Sequence, residues 1–151
     1  GAVHTALATR DATSAVVFID PFDHHALGPS GLSALNVAAE AANAGAVVVY
    51  WYGYNRIDRR NWIVDELALR DGDSNWWCGD LMVAAAGADM TNGDLGVASS
   101  PGTGSGLVCI NASTEAMEQC TLLGTALAEA YRDRPLPSGQ TGNLNFRALE
   151  S

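Results

Sequence analysis

Lysine is absent from this sequence, and all eight basic residues are arginine, against 17 aspartates and glutamates. The formal charge of −9 argues against a broad nucleic-acid-binding face, which needs a basic stripe, but not against a local arginine cluster. No apolar run approaches the roughly 20 residues of a transmembrane helix, and no signal peptide is visible. Cysteine is scarce, with three unevenly spaced residues, a pattern typical of reduced thiols. The sequence therefore predicts a cytoplasmic protein without a membrane segment.

Short apolar runs alternate with helical patterns along the 151 residues. The runs at residues 15–19 and 46–52 are rich in Val, Ile and aromatic residues, which is typical of strands buried on both faces of a parallel sheet. A helical pattern lies between them, with Ser33 as N-cap and Gly45 after its last turn, which completes a β-α-β unit. Further helices are predicted at residues 56–70 and 113–132, the second capped by Ser113 or Thr114, and further strands at residues 80–86 and 107–111.

The first apolar run ends in a stretch that is dense in ionisable groups. Pro21 cannot donate a ladder hydrogen bond, so it stops the strand and leaves Asp20 at the carboxyl end, where open parallel sheets bind ligands. The stretch consists of Asp20, Pro21, Phe22, Asp23, His24 and His25. Three interpretations stay open: a metal site of Asp20, Asp23 and one histidine, acid or base catalysis by a histidine, or a solvated loop.

Aromatic residues mark the end of the second strand, at Trp51, Tyr52 and Tyr54. In a parallel sheet this end lies beside Asp20, so the rings either stack on a planar ligand or close the core. The basic cluster of the sequence comes next, at Arg56, Arg59 and Arg60. It predicts either a solvated helix start or a phosphate contact.

These motifs resemble the class I S-adenosylmethionine-dependent methyltransferases, and most closely the ribosomal-RNA adenine N-methyltransferases of the RlmJ type. In that family one strand ends in Asp-Pro-Pro-Tyr, the next in Trp-Tyr, and a later Gly-Ser-Gly leads into a strand ending in Asn-Pro-Pro. The similar positions here, over residues 15–131, are Asp20-Pro21, Trp51-Tyr52 and Gly104-Ser105-Gly106 through Ile110-Asn111. The sequence departs from the family where Phe22 and Asp23 replace the second proline and the tyrosine.

The resemblance implies an α/β fold with a partial Rossmann-like sheet, mainly parallel, and helices on both faces. It implies methyl transfer to an amine or hydroxyl of a nucleobase, small molecule or protein, with alignment of the acceptor as the main task. The catalytic residues that it implies are Asp20, which orients the acceptor, Pro21 and Phe22, which shape the pocket, and Asp23 or His24 as proton acceptor. The substrate-binding residues that it implies are Trp51, Tyr52, Tyr54 and Asn111.

S-adenosylmethionine is the cofactor that the resemblance implies, bound mainly by residues outside this chain, because the family's glycine-rich cofactor loop belongs to strands upstream of Gly1. Residues 1–151 then form a single domain that corresponds to the C-terminal, substrate-side half of the enzyme. Its first strand is an apolar edge, and such edges pair with other strands. We therefore expect missing upstream residues, a second chain or a homo-oligomer across that edge. The alternatives are a non-catalytic methyltransferase-like partner subunit and a metal-dependent hydrolase that uses residues 20–25.

Overall fold

The computed structural model describes residues 12–71, 75–85, 104–135, 139 and 141–150. A 3-10 turn at Ala12–Ser14 leads into the first strand, β1, at Val16–Ile19. The later elements are α1 (Ala34–Asn43), β2 (Val47–Tyr54), α2 (Ile57–Asp71), β3 (Trp76–Ala85), β4 (Gly104–Ile110), α3 (Thr114–Ala130), β5 (Arg134–Pro135) and β6 (Thr141–Glu150).

The predicted caps of two helices are confirmed. The hydroxyl of Ser33 accepts a hydrogen bond from the Asn36 backbone N–H at 3.3 Å, and the Asn36 side chain accepts one from the Ser33 N–H at 3.2 Å. This reciprocal pair is a capping box at the start of α1. Gly45 follows the helix with φ +87°, the left-handed conformation that glycine adopts without steric cost. Ser113 caps α3 by accepting from the Ala116 N–H.

The six strands form one mixed sheet, in the order β1-β2-β4-β3-β6-β5. Only β1 and β2 pair in parallel. β4 is antiparallel to both β2 and β3, and β6 is antiparallel to both β3 and β5. The prediction of a mainly parallel, Rossmann-like sheet is therefore wrong. The predicted burial of the first strand on both faces is also wrong, because Val16 and Phe18 of β1 are exposed. A continuous apolar run does not report strand direction either: β4 is largely buried, although both of its neighbours run in the opposite direction.

The two faces of the sheet carry different layers. β2 sends alternate side chains into a core that it shares with α1 and α2, namely Val48, Tyr50, Tyr52 and Tyr54. Its Val49 instead packs on the other face with Trp77 and Met117, beneath α3. Because successive strand residues point to opposite faces, a single strand serves both layers.

The strand β6 was missed by the sequence reasoning, although its apolar residues Leu144, Phe146 and Ala148 alternate with polar ones, which is typical of a half-buried strand. It pairs with β3 over nine positions, from Trp77 opposite Glu150 to Ala85 opposite Gly142. Phe146 lies against Gly124 of α3, where a Cβ would come within 2.2 Å of the ring. The strand is therefore held by pairing and by one aromatic contact rather than by a long apolar run.

Candidate functional site

An open pocket of about 470 Å³ lies at the carboxyl ends of β1 and β2. Its lining residues are Asp20, Pro21, Phe22, His24, Trp51, Gly53, Tyr54, Asn55 and Arg59. Six of these were predicted as site residues, four from the stretch after β1 and two from the end of β2. They meet because β1 and β2 are parallel neighbours, with Ile19 opposite Tyr50, so that both strands end at the same edge.

The aromatic residues of the pocket differ in exposure. Phe22 is fully exposed, and Trp51 is 36% exposed although it lies within a strand. A Cβ at Gly53 would lie 3.1 Å from the Trp51 indole, so the glycine leaves room for the indole to lie along the end of the strand. Two accessible ring faces beside a carboxylate form a surface suited to a planar ligand with a hydrogen-bond donor.

His24 is the buried polar residue of the pocket, with 4% of its surface exposed. Its Nδ1 lies 2.7 Å from the Tyr50 hydroxyl, and the two rings stack with an angle of 25° between their planes. Desolvation lowers the pKa of His24 below its ordinary value, and the positive charges of Arg59 and His25 add to this, while Asp23 opposes it. The imidazole is therefore neutral at neutral pH.

Asp23 and His25 do not line the pocket. The Asp23 carboxylate accepts a hydrogen bond from the His25 backbone N–H at 2.9 Å, and this bond is the main cause that lowers the pKa of Asp23. The His25 ring lies against Trp62, with 4.9 Å between the ring centres. Among the residues that the structure describes, no three His, Cys, Asp or Glu side chains come together to hold a metal ion. The predicted metal site of Asp20, Asp23 and one histidine is therefore not assembled among these residues.

Two predicted substrate-binding residues lie away from the pocket. Tyr52 is fully buried, and its hydroxyl points to Asp80 and Cys78 in the core. Asn111 follows β4 at the end of the strands opposite to the pocket, since Ile110 pairs with Val48 near the start of β2. Its side-chain amide donates to the carbonyl oxygens of Ala42 and Ala46 at 3.0 and 3.1 Å. Asn111 therefore ties the end of α1 to β2.

A buried ionic cluster centred on Asp80 was missed by the sequence reasoning. The Asp80 carboxylate accepts hydrogen bonds from Tyr54 at 2.8 Å, from Tyr52 at 3.4 Å and from Arg147 at 3.1 Å, and it lies 3.6 Å from the Arg60 guanidinium. Asp80 is 1% exposed. The available signal was a lone acid inside the apolar run at residues 76–85. Because Tyr54 also lines the pocket, the cluster supports one pocket wall.

Burial keeps the tyrosine and cysteine neighbours of Asp80 in their neutral forms. It raises the pKa values of Tyr52 and Tyr54 far above the ordinary value for tyrosine, so both hydroxyls stay protonated and can donate. It also raises the pKa of the Cys78 thiol to about 11. All three cysteines are free, as the sequence predicts, and a protonated buried thiol is unreactive.

No protein-family model matches this chain, and a search of curated proteins finds no match either. In the described ranges, none of the helices has the length and apolar character needed to cross a membrane. Functional inference therefore depends on the pocket at the ends of β1 and β2.

Proposed function

We propose that this chain forms the acceptor-binding side of an S-adenosylmethionine-dependent methyltransferase, with its pocket at the ends of β1 and β2. The observation that carries the proposal is the convergence of Asp20, Phe22 and Trp51 on one pocket from two strands about 30 positions apart. The motif resemblance supplies the reaction type. The pocket supplies a carboxylate and accessible rings, which suit a planar acceptor with an amine or hydroxyl.

Within this proposal, Asp20 accepts a hydrogen bond from the amine or hydroxyl of the acceptor and thereby orients its lone pair. Phe22 and Trp51 contact the plane of the acceptor, and Pro21 holds the backbone that places Asp20 at the strand end. Methyl transfer needs mainly alignment and exclusion of water, so a site of this kind requires few ionising groups.

The described turn between β1 and α1 does not have the form of a cofactor-binding glycine loop. The glycine-containing turn between β1 and α1 uses its own amides: the Gly28 N–H donates to the Leu32 carbonyl at 3.0 Å, and the Gly31 N–H donates to the Gly28 carbonyl at 2.9 Å. These two glycine amides are therefore not available to a ligand, whereas a ligand-cradling glycine loop leaves its amides free to donate. We therefore assign cofactor binding to polypeptide outside the described ranges.

This proposal requires a partner chain that adds a strand beside β1. The partner is either a second copy of this chain or a different protein. β1 stands at the end of the sheet order and pairs only with β2 among the described strands. Its apolar residues Val16 and Phe18 are 70% and 62% exposed. Accessible apolar edges of this kind recruit other strands.

Sedimentation equilibrium tests this partner. We expect a mass above the 15.7 kDa of one chain, either for the chain alone or with a co-purifying partner. In Val16→Glu the mass should fall to that of one chain, because a charge on an edge strand opposes the addition of another strand. Leu27→Glu is the matched control, since Leu27 is also 70% exposed but lies in the following loop. A single-chain mass without any partner, or equal effects of both variants, would refute the edge interface.

The acceptor pocket is tested by nuclear magnetic resonance titration with adenosine, a planar amine, and catechol, a planar diol. We expect the Trp51 indole resonance, assigned through Trp51→Phe, to shift on saturation with at least one probe. Phe22→Ala should weaken binding about fivefold, because an aromatic contact contributes roughly 1 kcal/mol. Asp20→Asn should weaken it about tenfold, because hydrogen bonds to charged groups are stronger. Tyr131→Ala, an exposed aromatic outside the pocket, should change nothing.

A non-catalytic subunit that binds an acceptor for a catalytic partner is the second candidate function. The turn between β1 and α1 favours it, because both of its bonded glycine amides, those of Gly28 and Gly31, are unavailable to a cofactor. Methyl transfer from radiolabelled S-adenosylmethionine, assayed with the complex formed at β1, separates the two candidates. Loss of transfer in Asp20→Asn that persists at saturating acceptor, with the complex intact, supports the enzyme. Transfer that saturating acceptor restores, or that the variant leaves unchanged, would place catalysis wholly in the partner.

A further inference from the structure

A buried hydrogen bond joins a pocket residue to the core. The Tyr50 hydroxyl and His24 Nδ1 are 2.7 Å apart, a short and well-formed contact. Tyr50 is fully buried on the α1 and α2 side of β2. Within the described part of the chain, this contact is the only hydrogen bond recorded for either side chain.

The direction of this bond follows from the needs of the hydroxyl. A buried phenol whose O–H finds no acceptor loses roughly the energy of desolvating that donor, whereas a phenol oxygen without a second donor loses less. His24 Nδ1 is the acceptor that the described residues offer to Tyr50. Tyr50 therefore donates to Nδ1, and the proton of the neutral imidazole resides on Nε2.

We propose that Tyr50 is a positioning residue that holds His24 as a hydrogen-bond donor, through its Nε2–H, toward the occupant of the β1/β2 pocket. This inference rests on the proposed function for the identity of that occupant. It assigns His24 a recognition role in place of the proton-acceptor role that the motif implied. An imidazole with Nδ1 engaged and Nε2 protonated has no lone pair to accept a proton.

The surrounding charges agree with a neutral ring. Desolvation and the Arg59 guanidinium, from α2, lower the pKa of His24, and His25 adds to this from the same loop. Asp23, exposed on that loop, acts in the opposite direction, and Asp20 lines the same pocket. Tyr50 stays protonated because burial raises its pKa. Arg59 and His24 thus bring hydrogen-bond donors to the pocket lining, and Asp20 brings a carboxylate acceptor.

This arrangement defines the ligand class more narrowly than the pocket shape does. Asp20 pairs with an amine or hydroxyl of the ligand, while His24 pairs with an acceptor atom such as a ring nitrogen or carbonyl oxygen. The expected ligand is therefore a planar ring that carries a donor and an acceptor on its edge. A simple aromatic amine lacks the second group and should bind more weakly.

The first test reads the tautomer in the ligand-free protein. In ¹⁵N-labelled protein we expect His24 to show a pyrrole-type Nε2 and a pyridine-type Nδ1. In Tyr50→Phe the tautomers should mix and the pKa of His24 should rise, because the bond to Nδ1 that favours the neutral form is gone. His25, in the same spectra, is the internal control and should not change. A pyridine-type Nε2 in the unmodified protein would overturn the inference, whether or not Tyr50→Phe folds.

The second test compares probes and histidines. His24→Phe should weaken adenosine binding about fivefold, the effect of one neutral hydrogen bond, and leave aniline binding unchanged. His25→Phe should leave both unchanged, because His25 lies outside the pocket lining. Equal effects of the two variants would overturn the recognition role. If neither adenosine nor catechol binds, the proposed function is contradicted. The tautomer measurement still decides separately whether His24 carries its proton on Nε2.

Discussion

Asp80→Ala is expected to lower the free energy of unfolding by about 3–5 kcal/mol, the usual cost of removing one partner from a buried ion pair. The substitution leaves the Arg60 guanidinium, which is 6% exposed, without its carboxylate. It also removes the acceptor of the Tyr54 and Tyr52 hydroxyls and one hydrogen-bond partner of Arg147. Several buried donors then lose their bonds at once, and each carries a desolvation cost.

Urea unfolding followed by circular dichroism measures this effect as a lower midpoint with an unchanged slope. Asp58→Ala is the control, because Asp58 forms an exposed ion pair with Arg56 that is screened by water. Its midpoint should stay close to that of the unmodified protein. Equal midpoints for Asp80→Ala and the unmodified protein would show that the cluster around Asp80 contributes nothing net.

Gly106→Ala is expected to cost about 3 kcal/mol, at the upper end of the range for overpacked cores. A Cβ at this position would lie 2.6 Å from the Tyr52 ring and 2.8 Å from the Asp80 Cβ. Neither neighbour is the flexible end of a side chain, so relief requires Tyr52 to move and to lose its hydrogen bonds. The close approach of β4 to β2 therefore depends on a glycine here for steric reasons.

A double-mutant cycle tests the cause of this loss in the same unfolding experiment. In the Tyr52→Leu background, Gly106→Ala should cost less, because the ring that the methyl group meets is gone. Gly28→Ala is the control, since a Cβ there makes only an ordinary 3.6 Å contact with the Leu32 carbonyl. Additive effects of the two substitutions would point to strand propensity at position 106 rather than to contact with Tyr52.

The Asp80 cluster and the pocket are parts of one structure. The Tyr54 ring lines the pocket, while its hydroxyl donates to Asp80 and the Arg60 guanidinium lies 5.9 Å above its ring centre. A site built on strand ends keeps its geometry when the side chains behind it are fixed by packing and hydrogen bonds. Substitution of Asp80 should therefore weaken probe binding as well as stability.

Local elements of this protein could be predicted because their causes are local. The Ser33 cap, the left-handed Gly45 and the Ser113 cap depend on bonds within a few residues, and the structure has them where the sequence predicts them. The joining of Asp20 and Trp51 in one pocket was also predictable, since the β-α-β unit brings two strand ends to the same edge.

Strand direction and the β6 pairing were decided by the tertiary structure. A buried apolar run looks the same in a parallel and an antiparallel neighbourhood, so β4 carried no local mark of its direction. β6 pairs with β3 over nine positions, although half of its own residues are polar.

The sequence by itself determined where helices begin and end, and which two strands place an acid, rings and an imidazole together. Only the tertiary structure decided which polar side chains belong to the site and which to the core. Tyr52 and Tyr54 are two positions apart and point to the same face, yet only Tyr54, at the strand end, reaches the pocket. Asp80 and Arg147, 67 positions apart, meet because their strands pair in register. Contacts of this kind arise from long-range packing, which no short window of sequence encodes.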